Sequence, residues 1–238
     1  MPPQLHPIGD RCITVNFGVS ASLEVNRRAN GFARHLRSLA LPFVTDIVPT
    51  VLGVGVHYAP GLVEHAPAES PLAAVMARLQ QVHEGWTYTP QAQTRLVEIP
   101  VCYGGEHGPD LAEVAQRAGL DEDEIVRQHS AQTGQVLMLG FAPGHPYLGE
   151  WGQAFRLPRR STPRTQVAAG SVAVANGQTV IYPYALPGGW NLIGRTPLAL
   201  FVPERSPPCL LEPGDGVRFV PITAGDFDAL SADGGQRG

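Results

Sequence analysis

Apolar and polar residues alternate over 11–18, RCITVNFG, and the run ends on glycine, which predicts a strand. Over 20–39 the period changes. Leu23, Ala29, Phe32, Ala33, Leu36 and Leu39 recur near helical spacing, with Ser20 or Ser22 placed to cap the first turn. Residues 43–58 are rich in Val, Ile and Thr, and Pro49 splits them into two strands. SPLAAVMARLQQVH, 70–83, returns to helical spacing with Ser70 as N-cap and Pro71 at the first helical position. Strand, helix, strands, helix is the order of a small α+β domain.

The next stretch, WTYTPQAQT over 86–94, is polar and interrupted by proline, so the domain boundary is expected there, with the α+β domain at 1–88. TRLVEIPV then reads as a strand, and 109–118 and 121–131 as short helices. From 134 the runs QVLMLGF, SVAVAN, TVIYPYA, NLIGRTP, LALFVP and GVRFVPI are separated by Gly and Pro at about 8–12-residue spacing, which predicts a mainly β second domain over 89–230, a closed barrel or sandwich. The small, polar end SADGGQRG, 231–238, reads as a disordered tail.

Composition narrows the chemistry. The 238 residues contain 17 basic side chains, and all are arginine. A Schiff-base lysine, a Walker A lysine and a biotin-carrying lysine are therefore excluded. Residues 151–203 hold Arg156, Arg159, Arg160, Arg164 and Arg195 and no acid, so the overall charge of −4 leaves −9 on the rest. A local cationic surface in an acidic chain suits a small anionic ligand or an acidic partner, and does not suit duplex nucleic acid. Cys12, Cys102 and Cys209 form no CxxC pair, so no metal site is expected. Cys12 and Cys102 read as small core residues. No stretch looks like a signal peptide or a membrane span, and a cytoplasmic protein is expected.

No GxSxG, HExxH or GxGxxG motif occurs. Four Gly/Pro-dense segments remain. In GFAPGHPYLG, 140–149, rigid and permissive residues alternate and present His145 and Tyr147, suited to acid–base work, or to nothing more than a structural turn. RRSTPR, 159–164, offers a guanidinium fork for a carboxylate or phosphate. Arg159 and Arg160 read as solvated surface charge and Arg164, just before a strand, as the candidate ligand. Asn176-Gly177 is a hairpin dipeptide, followed by Gln178, which both donates and accepts, and by Tyr182. PGGWNLIGRTP, 187–197, brings Gly188 and Gly189, whose amides can hold an oxyanion, then Trp190 as a pocket wall or core residue, and Arg195 as a converging cation.

YGGEHGPDL, MLGFAPGHPYLG, RRSTPRTQVAAGSVAVANGQTVIYP and PGGWNLIGRTPLALF, in this order, resemble the family of the 5-oxoprolinase B subunit, which takes in bacterial sensor-kinase inhibitors and the first component of allophanate-hydrolase-type systems. The chain is also similar to one half of the carboxyltransferase domain of urea carboxylase. The resemblance implies an α+β N-terminal domain and a cyclophilin-like β-barrel. It implies two partners, a homologous C-type barrel protein and an amidohydrolase-like protein, with which the chain, inactive alone, would cleave 5-oxoproline to glutamate at the expense of ATP. In that scheme His145, Tyr147 and Arg195 would act in catalysis. Arg164, Gln178, Tyr182, Gly188, Gly189 and Trp190 would bind the lactam or amide substrate. The alternatives it leaves are a histidine-kinase inhibitor and a carboxyltransferase half with its biotin carried elsewhere.

Overall fold

The computed structural model describes residues 3–89, 95–149 and 151–234. Contacts divide the chain into two compact units, Met1–Ala92 and Gln93–Gly238, and the connector expected at 86–94 falls partly outside the described residues.

The first unit contains β1 (Gln4–Ile8), β2 (Cys12–Asn16), α1 (Leu23–Ser38), β3 (Val44–Pro49), β4 (Gly53–Tyr58) and α2 (Pro71–Glu84). Its strands form one antiparallel sheet in the order β1-β2-β4-β3. The pleat turns Ile13, Val15, Val54 and Val56 to one face, where they share a core with Phe32 and Leu36 of α1 and Val75 and Leu79 of α2. Each such side chain, fully buried, stabilises by about 1.5–3 kcal/mol. The Ser22 hydroxyl accepts from the Val25 N–H at 3.2 Å, so Ser22 rather than Ser20 caps α1, and Ser70 does the same for α2 through Ala73. β1 had no sequence signal, because QLHPI carries no clean alternation and is mostly exposed; it is recruited by pairing with β2. Cys12 is not a core residue. It is half-exposed on the opposite pleat from Ile13, with its Sγ 3.8 Å from His57 Nε2.

The second unit runs β5 (Leu96–Tyr103), α3 (Leu111–Ala118), α4 (Glu122–Ala131), β6 (Thr133–Leu139), β7 (Pro146–Gly149), β8 (Arg164–Val167), β9 (Ser171–Ala175), β10 (Gln178–Ile181), β11 (Leu186–Gly188), β12 (Asn191–Arg195), β13 (Gly216–Pro221) and α5 (Ala224–Gly234). Seven strands close a barrel in the order β10-β7-β6-β13-β5-β12-β9, with β9 pairing back onto β10. Among the described residues only β13–β5 is parallel. β8 and β11 pair separately.

The pleat sorts side chains to two sides of the barrel wall. Val172 and Val174 of β9, Ile181 and Ile193 enter the interior with Ile99, Val217 and Phe219, while α3 and α4 contribute Leu111, Val114 and Ile125. Ala173, Ala175, Val180, Tyr182 and Leu192 face outward and form a second cluster with Val167 and Trp190. The β9–β10 hairpin turns on Asn176 and Gly177, at φ 53° and 75°, the left-handed pair that a two-residue turn of this kind demands.

Three expectations are corrected here. LALFVP forms no strand but a single bridge, Phe201 to Cys209, since Pro203, Pro207 and Pro208 break up the ladder. The GFAPGHPYLG segment is not all turn: Pro146–Gly149 is β7, paired with β6 and β10. Residues 231–234 belong to α5 rather than to a disordered tail, because Phe227 anchors that helix against His107 at 4.3 Å between ring centroids; 235–238 lie outside the described residues.

Among the described residues no helix is long and apolar enough to cross a membrane, and no three His, Cys, Asp or Glu side chains gather as a metal site requires.

Candidate active site

The outward side of the β7–β10 pair carries Tyr147 opposite Val180, and Tyr182 follows on the same pleat as Val180. Gln178, half-buried, starts β10 on that same pleat. His145 stands just before β7. The turn that delivers it is closed by two backbone bonds, Gly140 N–H to the His145 carbonyl and His145 N–H to the Ala142 carbonyl, both 3.1 Å.

These residues meet as rings. His145 lies 5.1 Å from Tyr147 and 5.2 Å from Tyr182, and Tyr147 lies 6.2 Å from Trp190. Phe141, 65% exposed and held at φ 71°, sets its edge against His145 at 5.4 Å. An aromatic side chain at positive φ costs of order 1–2 kcal/mol, so the turn holds this ring against a local preference. The His145 side chain is almost wholly enclosed, yet its Nδ1 has no hydrogen-bond partner. Burial lowers its pKa to about 4, so the imidazole is neutral at pH 7. Burial pushes Tyr182 up to about 12, against the pull of the Trp190 backbone N–H on its hydroxyl and of Arg159 and Arg164 nearby. Tyr147 is raised by burial too, with Arg159 opposing.

Gly188 and Gly189 serve different ends. A Cβ on Gly188 would fall 2.1 Å from the Tyr182 hydroxyl, so the absence of a side chain there is what lets Tyr182 pack. The Gly189 carbonyl accepts from the Arg160 N–H at 2.7 Å. Gly188, at the end of β11, thus works first as packing for Tyr182.

The arginines are distributed otherwise than the sequence suggests. Arg164 donates through Nη1 and Nη2 to both oxygens of Asp110, at 3.0 and 2.7 Å. Arg160 Nη1 reaches the same carboxylate at 3.0 Å, and the Leu192 N–H donates to it at 2.7 Å. Asp110 is buried, so two cations and an amide compensate one enclosed charge. Arg195 donates through Nε to the Ala169 carbonyl at 2.8 Å and covers the Phe227 ring at 5.6 Å. Its partners are therefore α5 and the turn before β9, not the ring cluster. Arg159, read from sequence as surface charge, is the arginine over Trp190, with Cζ 5.0 Å from the ring centroid.

A family model for the carboxyltransferase domain, subdomain C and D, matches residues 3–211. The chain belongs to this carboxyltransferase-domain family. The B subunit of 5-oxoprolinase from Bacillus subtilis is 40% identical over 237 residues, covering 97% of both chains, and that of Escherichia coli O157:H7 is 38% identical over 92% of this chain and 95% of its own. The solved protein TTHA0988 matches with a TM-score of 0.76 at 40% identity, over 90% of this chain; the chain spans only 40% of that longer one. The urea carboxylase of Kluyveromyces lactis matches over 98% of this chain and 23% of its own with a TM-score of 0.75; at 18% identity this is a likeness of fold.

One polar group inside this carboxyltransferase-type barrel was passed over in the sequence. His129 of α4 is fully buried, with Nδ1 2.7 Å from the Tyr103 hydroxyl and Nε2 3.0 Å from Thr179 Oγ1. Phe219 and Trp151 stack on it at 4.4 and 5.2 Å. Burial drives its pKa down to about 3 and that of Tyr103 strongly up, so the trio is a neutral internal bridge across the barrel. HSAQTG on a polar helix gives no hint of this; only the Thr179 pleat, inward while Gln178 and Val180 point out, reveals it.

Proposed function

We propose that the chain is the B subunit of an ATP-dependent 5-oxoprolinase, inactive alone, working with a homologous barrel protein and an amidohydrolase-like protein. The observation that carries this reading is 40% identity across 97% of both chains to a 5-oxoprolinase B subunit, with the ring cluster built from the segments of the family resemblance. The match to TTHA0988, which is more than twice as long, supports a module that works joined to further protein. The barrel is read as cyclophilin-like in shape, without isomerase chemistry.

A lactam is a poor electrophile. Transfer of the ATP γ-phosphoryl group to its amide oxygen makes that oxygen a leaving group. One water adds its oxygen to the carbonyl carbon and gives a proton to nitrogen as the ring C–N bond breaks, which leaves an acyl phosphate and ADP; a second water hydrolyses the acyl phosphate to glutamate and phosphate. ATP is a substrate of the assembled complex. Arg164 and Arg195, the cations the sequence offers for phosphate or carboxylate, are held by Asp110 and by Ala169 and Phe227, so this chain's part is taken to be the lactam. Tyr147 and Trp190 give flat apolar walls to the ring. His145, neutral and enclosed behind Tyr147 and Tyr182, holds these rings in place, and the half-buried Gln178 amide supplies hydrogen bonds to the lactam N–H and carbonyl.

Co-expression with the genes flanking its own tests the reading. The expected result is a co-purifying complex that releases glutamate from 5-oxoproline only with ATP. Turnover by the isolated chain would remove the dependence on partners, and a complex without turnover would remove the substrate.

A further inference from the structure

Of the five arginines in the acid-free stretch, three have partners away from the rings and a fourth, Arg156, lies elsewhere on the surface. Arg160 and Arg164 hold Asp110. Arg195 holds Ala169 and Phe227. Arg156 lines a surface cavity with Arg117, Gln128 and Gln153. Arg159 alone sits at the cluster, its guanidinium over Trp190, and among the described residues no carboxylate pairs with it. Its charge also acts on both Tyr147 and Tyr182.

A guanidinium held over an indole keeps its flat fork exposed and loses little freedom on meeting a planar anion. The cluster therefore sets aromatic side chains and one unpaired cation side by side. That set is complementary to a small flat amide ring bearing a carboxylate.

We propose that Arg159 is the carboxylate-reading residue of this site, pairing with the acid group of the lactam while Trp190 and Tyr147 cover its ring. The inference rests on the 5-oxoproline reading and goes beyond it, since that reading does not say which residue tells 5-oxoproline from an uncharged lactam.

The test uses the assembled complex and the variants Arg159→Gln and Arg159→Lys. Loss of a charge-assisted pair predicts a KM for 5-oxoproline raised roughly 10- to 100-fold in Arg159→Gln, partial recovery in Arg159→Lys, and an unchanged KM for ATP. An unchanged KM for 5-oxoproline overturns the proposal. So does a rise confined to ATP, which would make Arg159 a phosphate contact, and so does failure of a normally melting Arg159→Gln chain to join the complex, which would make it an interface residue. Should the wild-type complex not turn over 5-oxoproline, the parent reading fails, and calorimetric titration of the chain with 5-oxoproline and with 2-pyrrolidinone decides Arg159 separately. A preference for the carboxylated ring that disappears in Arg159→Gln supports the proposal. Equal binding of the two rings, or binding of neither, overturns it.

Discussion

Arg164 grips the buried Asp110 with both terminal nitrogens, at 3.0 Å from Oδ2 and 2.7 Å from Oδ1. The two residues are 54 positions apart, and the pair ties the start of α3 to β8. Removing one side leaves the other charge buried. Asp110→Ala is therefore expected to cost about 3 kcal/mol, since it strands Arg164 and the Leu192 N–H and leaves Arg160 only its longer pair with Glu113. Arg164→Ala costs less, because Arg160 still neutralises Asp110. Denaturant melts of the two variants check the order. In the assembled complex Arg164→Ala should leave the KM for 5-oxoproline near wild type; a large rise would return Arg164 to the substrate.

The two glycines before Trp190 should respond oppositely to a methyl group. Gly188→Ala forces a Cβ into the Tyr182 hydroxyl and ring, at 2.1–2.8 Å. The expected loss is about 1–3 kcal/mol, with displacement of Tyr182 from His145. Gly189→Ala meets only ordinary contacts, 3.6 Å from the Arg160 carbonyl oxygen and Pro163, and should stay within about 0.5 kcal/mol. Thermal melts of both variants separate a packing glycine from a permissive one. Equal effects would contradict the geometry.

Arg195 is expected to act on α5 rather than on the rings. Arg195→Ala loses the Ala169 bond and the cover over Phe227, about 1–2 kcal/mol in all. Hydrogen exchange should show α5 opening more readily, with catalysis in the complex retained. Lost turnover with unchanged α5 protection would place Arg195 in the chemistry.

Acid should weaken the barrel before it reaches the carboxylate range. His129 and His145 titrate at about 3 and about 4 in the fold, below their ordinary value, because burial disfavours the imidazolium. The unfolded chain takes up these protons first. Their stabilisation is thus complete above about pH 6.5 and is lost as pH falls towards 4, at up to about 1.4 kcal/mol per pH unit for each site. Guanidinium melts at pH 7 and pH 5 should differ by about 2 kcal/mol per histidine. A flat profile would mean that both imidazoles reach solvent, and half the difference that one does.

Local signals carried much of the fold. Ser22 and Ser70 announce their helices because a cap hydroxyl satisfies an N–H three residues on, a purely local bond. Asn176-Gly177 announces its hairpin because both residues accept positive φ. β1, β7, β8 and β11 were silent: each is five residues or fewer, three of the four contain proline or glycine, and each exists through a partner strand. α5 was silent because its anchor, Phe227, is held by His107 and Arg195, more than thirty positions upstream.

The sequence by itself determined the chemical vocabulary: arginine in place of lysine, a cationic stretch without acid, and glycine–proline segments that bring His145, Tyr147, Tyr182 and Trp190 into the argument. Only the tertiary structure decided which arginine stands unpaired beside the rings. Charge pairing is a matter of distance in space, and Asp110, remote along the chain, takes Arg160 and Arg164 while leaving Arg159 over Trp190. Pleat parity did the rest, turning Thr179 inward to His129 and its neighbour Val180 outward beside Tyr147.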